Sequence, residues 1–334
     1  MEDPAPILGI IDGFRHSKTL FAAVELGIFD GARPRGQAVE QLLDACVSLG
    51  LLERRGTGYL NTPLADQFLS SGSPTSLAGY VGYANAKLYP MWTYLEDAII
   101  EGLPRWEQTF GRTGAKGGGP RRLFRRFRTR GPGYLRPCFR DPGNTTRDFM
   151  DGMHGFGMIS SPRVAEAFDL SRFHRFVDLG GSTGHLALAL LKRYPGMETS
   201  VFELPKVIPV IREYTGDRVR LIPGDFFNDP LPPADLYGLG KVLHNHDPES
   251  CRRLLAKIHA ALPEGGGLLV VERFLHEDRS GPLAVHMASL NMLVVTSGRE
   301  RTCSEYLAML QEAGFTKLQA KITGAPVDVI LAIK

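Results

Sequence analysis

The stretch FVDLGGSTGHLALALLKRY, residues 176–194, decides how the rest of the chain is read. FVDL has the apolar run of a buried strand and ends in two glycines. HLALALLKRY has the length and spacing of a helix. The same grammar repeats downstream. TSVFELP (199–205) reads as a strand, VIPVIREY (207–214) as a helix, VRLIPGDFF (219–227) and DLYGLGKVLH (235–244) as strands. A helix is expected over 248–262, a strand over 267–274, helices near 283–296 and 303–313, and strands near 315–321 and 327–333. Such alternation predicts an α/β fold with a doubly wound, largely parallel sheet. The last two strands are joined only by the short turn TGAPVD (323–328), which predicts an antiparallel terminal hairpin at the sheet edge.

Upstream of residue 147 the pattern is helical. Residues 5–29 carry an apolar face (Ile7, Ile10, Ile11, Phe14, Leu20, Phe21, Val24, Leu26), and residues 37–52 predict a second helix. ERRGTGYLNTP (53–63) reads as a hairpin about a Gly turn, followed by a helix at 62–70. Helix, helix, hairpin is a winged-helix order, and without a basic recognition helix it predicts a packing or dimerising domain over 1–102 rather than a DNA reader. Residues 112–146 hold seven Gly and four Pro among repeated Arg. Such a stretch does not sustain a helix and buries little, so 103–146 is expected to be poorly ordered, with the sheet domain spanning 147–334.

The 334 residues suffice for two domains, and 43% hydrophobic with 22% charged residues is globular. Residues 112–147 are net +10, which leaves the remainder at −7. The chain is therefore not a uniformly basic nucleic-acid binder. No apolar run reaches membrane-span length, and the N-terminus lacks a secretory pattern. Four scattered cysteines without C-x-x-C spacing argue against a disulfide framework or zinc site and fit the cytoplasm.

Asp178-Leu-Gly180-Gly181-Ser-Thr-Gly184 places an acid before a glycine turn that opens a helix. A dinucleotide pyrophosphate would be repelled by that acid, whereas the cationic amino-acid part of S-adenosylmethionine (SAM) suits it. Glu203 ends the second strand, where a carboxylate can take both ribose hydroxyls. Gly224-Asp225-Phe226 ends the third, where Asp225 can accept an adenine amine and Phe226 can pack on the ring. Three strand ends converging on one ligand are what this fold class offers.

These motifs carry a resemblance. From 173 to the end the chain resembles the class I SAM-dependent small-molecule O-methyltransferases, in the branch that acts on hydroxyindoles. The resembling runs are DLGGSTG (178–184), GDFFNDPLPPADLY (224–237), VLH (242–244), SLNMLV (289–294), GRERT (298–302) and TGAPVDVILAIK (323–334). IIDGFRHSKTLFAAVELGIFD (10–30), LLDACVSLGLLE (42–53), GYLNT (58–62) and MWTYLEDAIIEG (91–102) extend it through the N-terminal half. The resemblance implies SAM as methyl donor, no metal, and a homodimer formed through the helical domain. It also implies methylation of the 5-hydroxyl of N-acetylserotonin to give melatonin.

It further implies site residues. A phenolic hydroxyl with a pKa near 10 needs a base as it attacks, and histidine is suited to that work. The resemblance places His244 in the base position, with Glu272 (in VVERFL) and Glu300 (in GRERT) as its carboxylate partners. Lys241 matches a position facing the cofactor, and Asn291 and Met292 match the substrate-pocket run. The alternative pairing His246–Asp247 would require a two-residue slip.

The chain also departs from the family pattern. Asn245 stands where the family has Asp, the segment between Phe29 and Gln41 is short, and the Arg/Gly/Pro tract replaces pocket helices. These departures leave a second reading open: a catalytically impaired SAM-binding homologue acting as a dimerising or regulatory partner. A third, recruitment of an anionic nucleic acid by the basic tract, has few stacking aromatics to support it.

Overall fold

The computed structural model describes residues 2–32, 36, 38–111 and 145–334. The expectation of poor order therefore falls, for 112–144, outside the described residues, as do positions 33–35 and 37 of the shortened segment. The chain divides into two compact units, one of Met1–Tyr89 with Asp151–Phe156, the other of Pro90–Met150 with Gly157–Lys334. Pro90–Gly102, expected with the helical part, clusters with the second unit. No helix among the described residues is long and apolar enough to cross a membrane.

In the first unit, helices Ala5–Glu25 and Val39–Ser48 are followed by an antiparallel hairpin of β1 (Leu52–Arg55) and β2 (Gly58–Asn61). Ala23, Ile28, Phe29, Cys46, Leu52, Ala65, Leu69 and Val81 form its core. Thr62 caps the next helix, Pro63–Phe68, by accepting the Ala65 N–H. The helical run expected over 76–101 is interrupted. Helix Ala78–Tyr83 widens into a π turn over Ala84–Leu88. Pro90 lacks the N–H that an α-helix would aim at Ala86, and its ring would crowd that carbonyl.

The second unit is built on a seven-stranded sheet. Its strands are β3 (Arg175–Leu179), β4 (Glu198–Glu203), β5 (Arg220–Pro223), β6 (Leu236–Gly240), β7 (Gly267–Glu272), β10 (Lys317–Lys321) and β11 (Asp328–Ile333). Two short segments, β8 (Phe274–Leu275) and β9 (Arg301–Thr302), pair with each other in parallel. The order across the sheet is β10-β11-β7-β6-β3-β4-β5. Strands β7, β6, β3, β4 and β5 are mutually parallel, while β11 is antiparallel to both neighbours. The fold is thus the expected doubly wound α/β architecture with its terminal antiparallel hairpin.

Alternation along each strand splits the core into two layers. Phe176, Val201, Leu236, Leu269 and Val271 join Leu186, Leu190 and Ile211 of the helices on one face. Val177, Phe202, Tyr237, Leu268 and Val270 join Leu254, Leu255, Ile258 and Leu310 on the other. Each such side chain contributes about 1.5–3 kcal/mol by leaving water.

Three elements depart locally from the expected pattern. The strand expected through His244 ends at Gly240, because Lys241 takes a left-handed φ of 53° and the chain turns into a short 3-10 helix, Leu243–Asn245. The strand expected through Phe227 ends at Pro223. The segment expected to lose order from 103 instead forms helix Trp106–Phe110, anchored by the buried Arg105, which donates to Glu101, Gln108 and the Leu103 carbonyl.

Within the first unit, a Cβ on Gly155 would lie 2.1 Å from the Ser76 carbonyl oxygen, whereas one on Gly82 meets nothing within 4 Å. Gly155→Ala is expected to destabilise by about 1–3 kcal/mol through overpacking. Gly82→Ala is expected to stabilise by about 0.5–1 kcal/mol through a better helix propensity. Urea denaturation of the two variants checks the pair; equal effects would show that the close approach is not a constraint.

Candidate active site

Parallel strands bring their carboxyl ends to one edge, so Gly180, Glu203, Gly224, Lys241 and Glu272 all follow or close strand ends there. After β3 the chain turns at Gly180 (φ 70°), Ser182 (φ 52°) and Gly184 (φ 75°) before helix His185–Arg193. Asp178 lies beneath this turn, 2% exposed, and a Cβ on Gly181 would sit 2.6 Å from its carboxylate. A Cβ on Gly184 would meet Thr215 at 2.6 Å. These glycines therefore let backbone and carboxylate pack together.

Asp178 Oδ2 is buried and has no hydrogen-bond partner among the described residues. Burial, then the charge of Glu203, pushes the Asp178 carboxyl up to about 7. Burial also raises Glu203 to about 7, against the opposing backbone N–H groups of Leu204 and Ser182. The Leu204 N–H donates to Glu203 at 2.6 Å. Two acids held at this cost, one with an orphaned oxygen, suit a ligand bearing a cationic amine and hydroxyl donors.

After β5, a Cβ on Gly224 would lie 2.2 Å from the Phe202 ring. Asp225 is engaged in its own turn, accepting from the Phe227 N–H (2.9 Å) and Asn228 Nδ2 (2.8 Å). The ring of Phe226 lies against Gly180, where a Cβ would come within 3.1 Å. Lys241 is lowered to about 8 by burial and by Arg273, with Glu300 and Glu272 opposing.

The second half of the site surrounds His244, which is 4% exposed. Its Nδ1 is 2.9 Å from Glu300 Oε1 and 3.4 Å from Glu272 Oε2, and its backbone N–H donates to Glu272 Oε1 at 3.3 Å. Glu272 closes β7 and Glu300 immediately precedes β9, so pairing of β8 with β9 delivers both carboxylates to one imidazole. Burial, moderated by His244, pushes Glu272 up to about 6. Burial also raises Glu300, but the His244 charge and hydrogen bond, with Arg273 and Lys241, outweigh it and hold Glu300 below the usual range. An ionised carboxylate only accepts, so Nδ1 carries the hydrogen, and in the neutral imidazole the lone pair falls on Nε2. Nε2 has no hydrogen-bond partner among the described residues.

These three groups are also the one His/Glu cluster with metal-ligand spacing among the described residues. Both carboxylates address the same nitrogen, at hydrogen-bonding distance from Glu300, which is the arrangement that orients a base. His246 and Asp247 do not meet. Asp247 caps helix Pro248–Ala261 through the Ser250 N–H, while His246 packs edge-on to Phe227. Asn245 donates from Nδ2 to the Lys241 carbonyl at 2.9 Å.

Asn291 and Met292 lie on helix Leu283–Val295. The Asn291 amide oxygen accepts from Trp92 Nε1 at 2.9 Å. Ser289, on the same helix, accepts the Glu300 N–H at 3.2 Å. Neither Trp92 nor Ser289 stood out in the sequence. The available signal was that a semi-buried indole needs an acceptor.

Comparison with known proteins agrees with this geometry. Residues 92–316 match the model of an O-methyltransferase domain. The chain belongs to the SAM-dependent O-methyltransferase family. It is 37% identical to acetylserotonin O-methyltransferase of Gallus gallus, over all of this chain and 98% of that protein. It is 35% identical to a probable bifunctional dTTP/UTP pyrophosphatase/methyltransferase protein of Homo sapiens, over 99% of this chain and 54% of that protein. The crystal structure of human N-acetylserotonin methyltransferase in complex with SAM superposes with a TM-score of 0.88 at 38% identity, covering 100% of this chain and 98% of the other. SAM is the family's cofactor, and the orphaned Asp178 oxygen and the Gly181 cradle fit it.

In this O-methyltransferase the raised Asp178 and Glu203 carboxyls bind protons more tightly than in the unfolded chain. Their contribution favours folding in acid and is lost as pH rises through about 7. His246, lowered to about 4 by burial, acts in the opposite sense, costing stability as pH falls from about 6.5 toward about 4. Asp178→Asn isolates one component. The stability difference between variant and wild type, without ligand, is expected to move in the variant's favour from about pH 5 to about pH 8. Thermal denaturation at both values checks this, and a flat difference would show that the Asp178 charge carries no burial penalty.

Proposed function

We propose that this chain methylates the 5-hydroxyl of N-acetylserotonin, giving melatonin, with His244 as general base. The observation that carries the chemistry is the convergence of Glu300 and Glu272 on His244 Nδ1, which leaves the Nε2 lone pair to act. The acceptor rests on near full-length similarity to acetylserotonin O-methyltransferases at 37–38% identity.

On this reading SAM, when bound, supplies an electrophilic methyl group. Asp178 takes its ammonium through the orphaned Oδ2, the 180–184 turn approaches its amino-acid part, and Glu203 takes the ribose hydroxyls. Asp225 takes the adenine amine, Phe226 packs on the ring, and Lys241 faces the cofactor. Asn291 and Met292 line the acceptor pocket, with Trp92 fixing the Asn291 amide. The acceptor hydroxyl gives its proton to His244 Nε2 as its oxygen attacks. Glu300, ionised and hydrogen-bonded to Nδ1, then stabilises the imidazolium, and Glu272 adds charge at the second position. Asn245 replaces the family's acid but keeps a structural hydrogen bond to the turn. The assembled triad favours turnover over a silent homologue.

A homodimer follows the same reading, because Ile7, Leu8, Ile10, Ile11 and Phe14 expose an apolar face on the first helix. Sedimentation at micromolar concentration is expected to give twice the chain mass.

Incubation with methyl-labelled SAM and N-acetylserotonin is expected to yield labelled melatonin. His244→Ala is expected to lower turnover by about 10²–10⁴-fold while calorimetry finds SAM affinity unchanged. No labelled product from a SAM-binding sample would overturn the acceptor assignment, and full turnover in His244→Ala would remove it as the base.

A further inference from the structure

His244 sits on a short turn that makes few regular hydrogen bonds, so something else must hold it in register with the carboxylates. Arg301 does so. It is 2% exposed, among the largest fully buried side chains. Nη1 donates to the Leu243 carbonyl at 3.0 Å and the Arg299 carbonyl at 3.2 Å, and Nη2 donates to the His246 carbonyl at 2.9 Å. The residues on either side of the base and its neighbour are thus gripped by one guanidinium. Cys251 Sγ lies 3.3 Å from the same Leu243 carbonyl. Behind the turn, a Cβ on Gly298 would come within 1.8 Å of the His244 carbonyl oxygen, so this segment lies flat against the turn.

Arg301 directly follows Glu300 and pairs with Phe274, two residues beyond Glu272. One side chain therefore ties the turn that bears the imidazole to the strand pair that bears both carboxylates. Its charge also lowers Glu272, offsetting part of the burial of that acid. A planar fork can span two carbonyls three residues apart; an ammonium acts from a single point. We propose that Arg301 is a positioning residue that sets the His244 imidazole against Glu300 and Glu272. The proposal rests on the reading of His244 as base. Arg301 itself contacts main-chain carbonyls rather than reacting atoms.

The test uses Arg301→Lys and Arg301→Gln in the full chain, with His244→Gln as reference. Proton NMR of the wild type should show a downfield Nδ1–H signal that His244→Gln lacks. In Arg301→Gln this signal is expected to vanish, and in Arg301→Lys to broaden, with SAM affinity by calorimetry unchanged. Turnover is expected to fall about 100-fold in kcat with little change in KM for SAM, and the acid limb of the pH–rate profile to shift. The signal or kcat surviving in Arg301→Gln would overturn the proposal, as would its absence from the wild type. If Arg301→Gln does not fold, Arg301→Lys decides; if neither folds, Arg301 is a structural residue and the proposal falls. A wild type without turnover on hydroxyindoles defeats the acceptor reading alone, since the Nδ1–H signal still reports the hold of Arg301 on His244.

Discussion

Five parallel strands covered on both faces leave their carboxyl ends as the place where chemistry can be mounted. That constraint organises the second unit. The layers on either face are filled mainly with Leu, Val, Ile and Phe, and Asp178, Glu203 and Glu272 stand at or next to the carboxyl ends. The sheet sets the spacing of these acids, and the turns beyond it choose what each acid meets.

The acids are asymmetric in consequence. Asp178 and Glu203 are raised by burial, which the Leu204 and Ser182 backbone N–H groups offset only in part at Glu203, a situation a cationic ligand relieves. Glu300 is compensated internally by His244, Arg273 and Lys241 and stays ionised. One end of the cleft is built to be completed from outside and the other is completed from within. That division matches a site in which one substrate arrives charged and the other must lose a proton.

Much of this was legible in the sequence. The glycine turn after an apolar strand, the strand–helix alternation and the short TGAPVD link sufficed for the sheet and its hairpin, because period-2 and period-3.6 burial leave direct traces. The placement of His244, Glu272 and Glu300 needed a family resemblance as well, since nothing in VLH or GRERT states that they meet. Where strands end was less legible. Lys241 enters a left-handed conformation that its residue type does not advertise, so the strand through 244 was expected to run on. Trp92 and Arg301 were missed for a different reason. Their partners, Asn291 and the carbonyls of Leu243 and His246, lie far away in sequence, and backbone carbonyls carry no signature at all.

Ser182 and Lys241, on the turns after β3 and β6, both hold positive φ without being glycine. Each stores about 1 kcal/mol of strain that glycine would release. Selection for heat resistance alone would be drawn to these two positions. It would slacken the walls of the cleft at the points where Glu203 receives a backbone N–H and where the base-bearing turn begins. A thermostable descendant reached by that route would have exchanged its working geometry for a higher melting point.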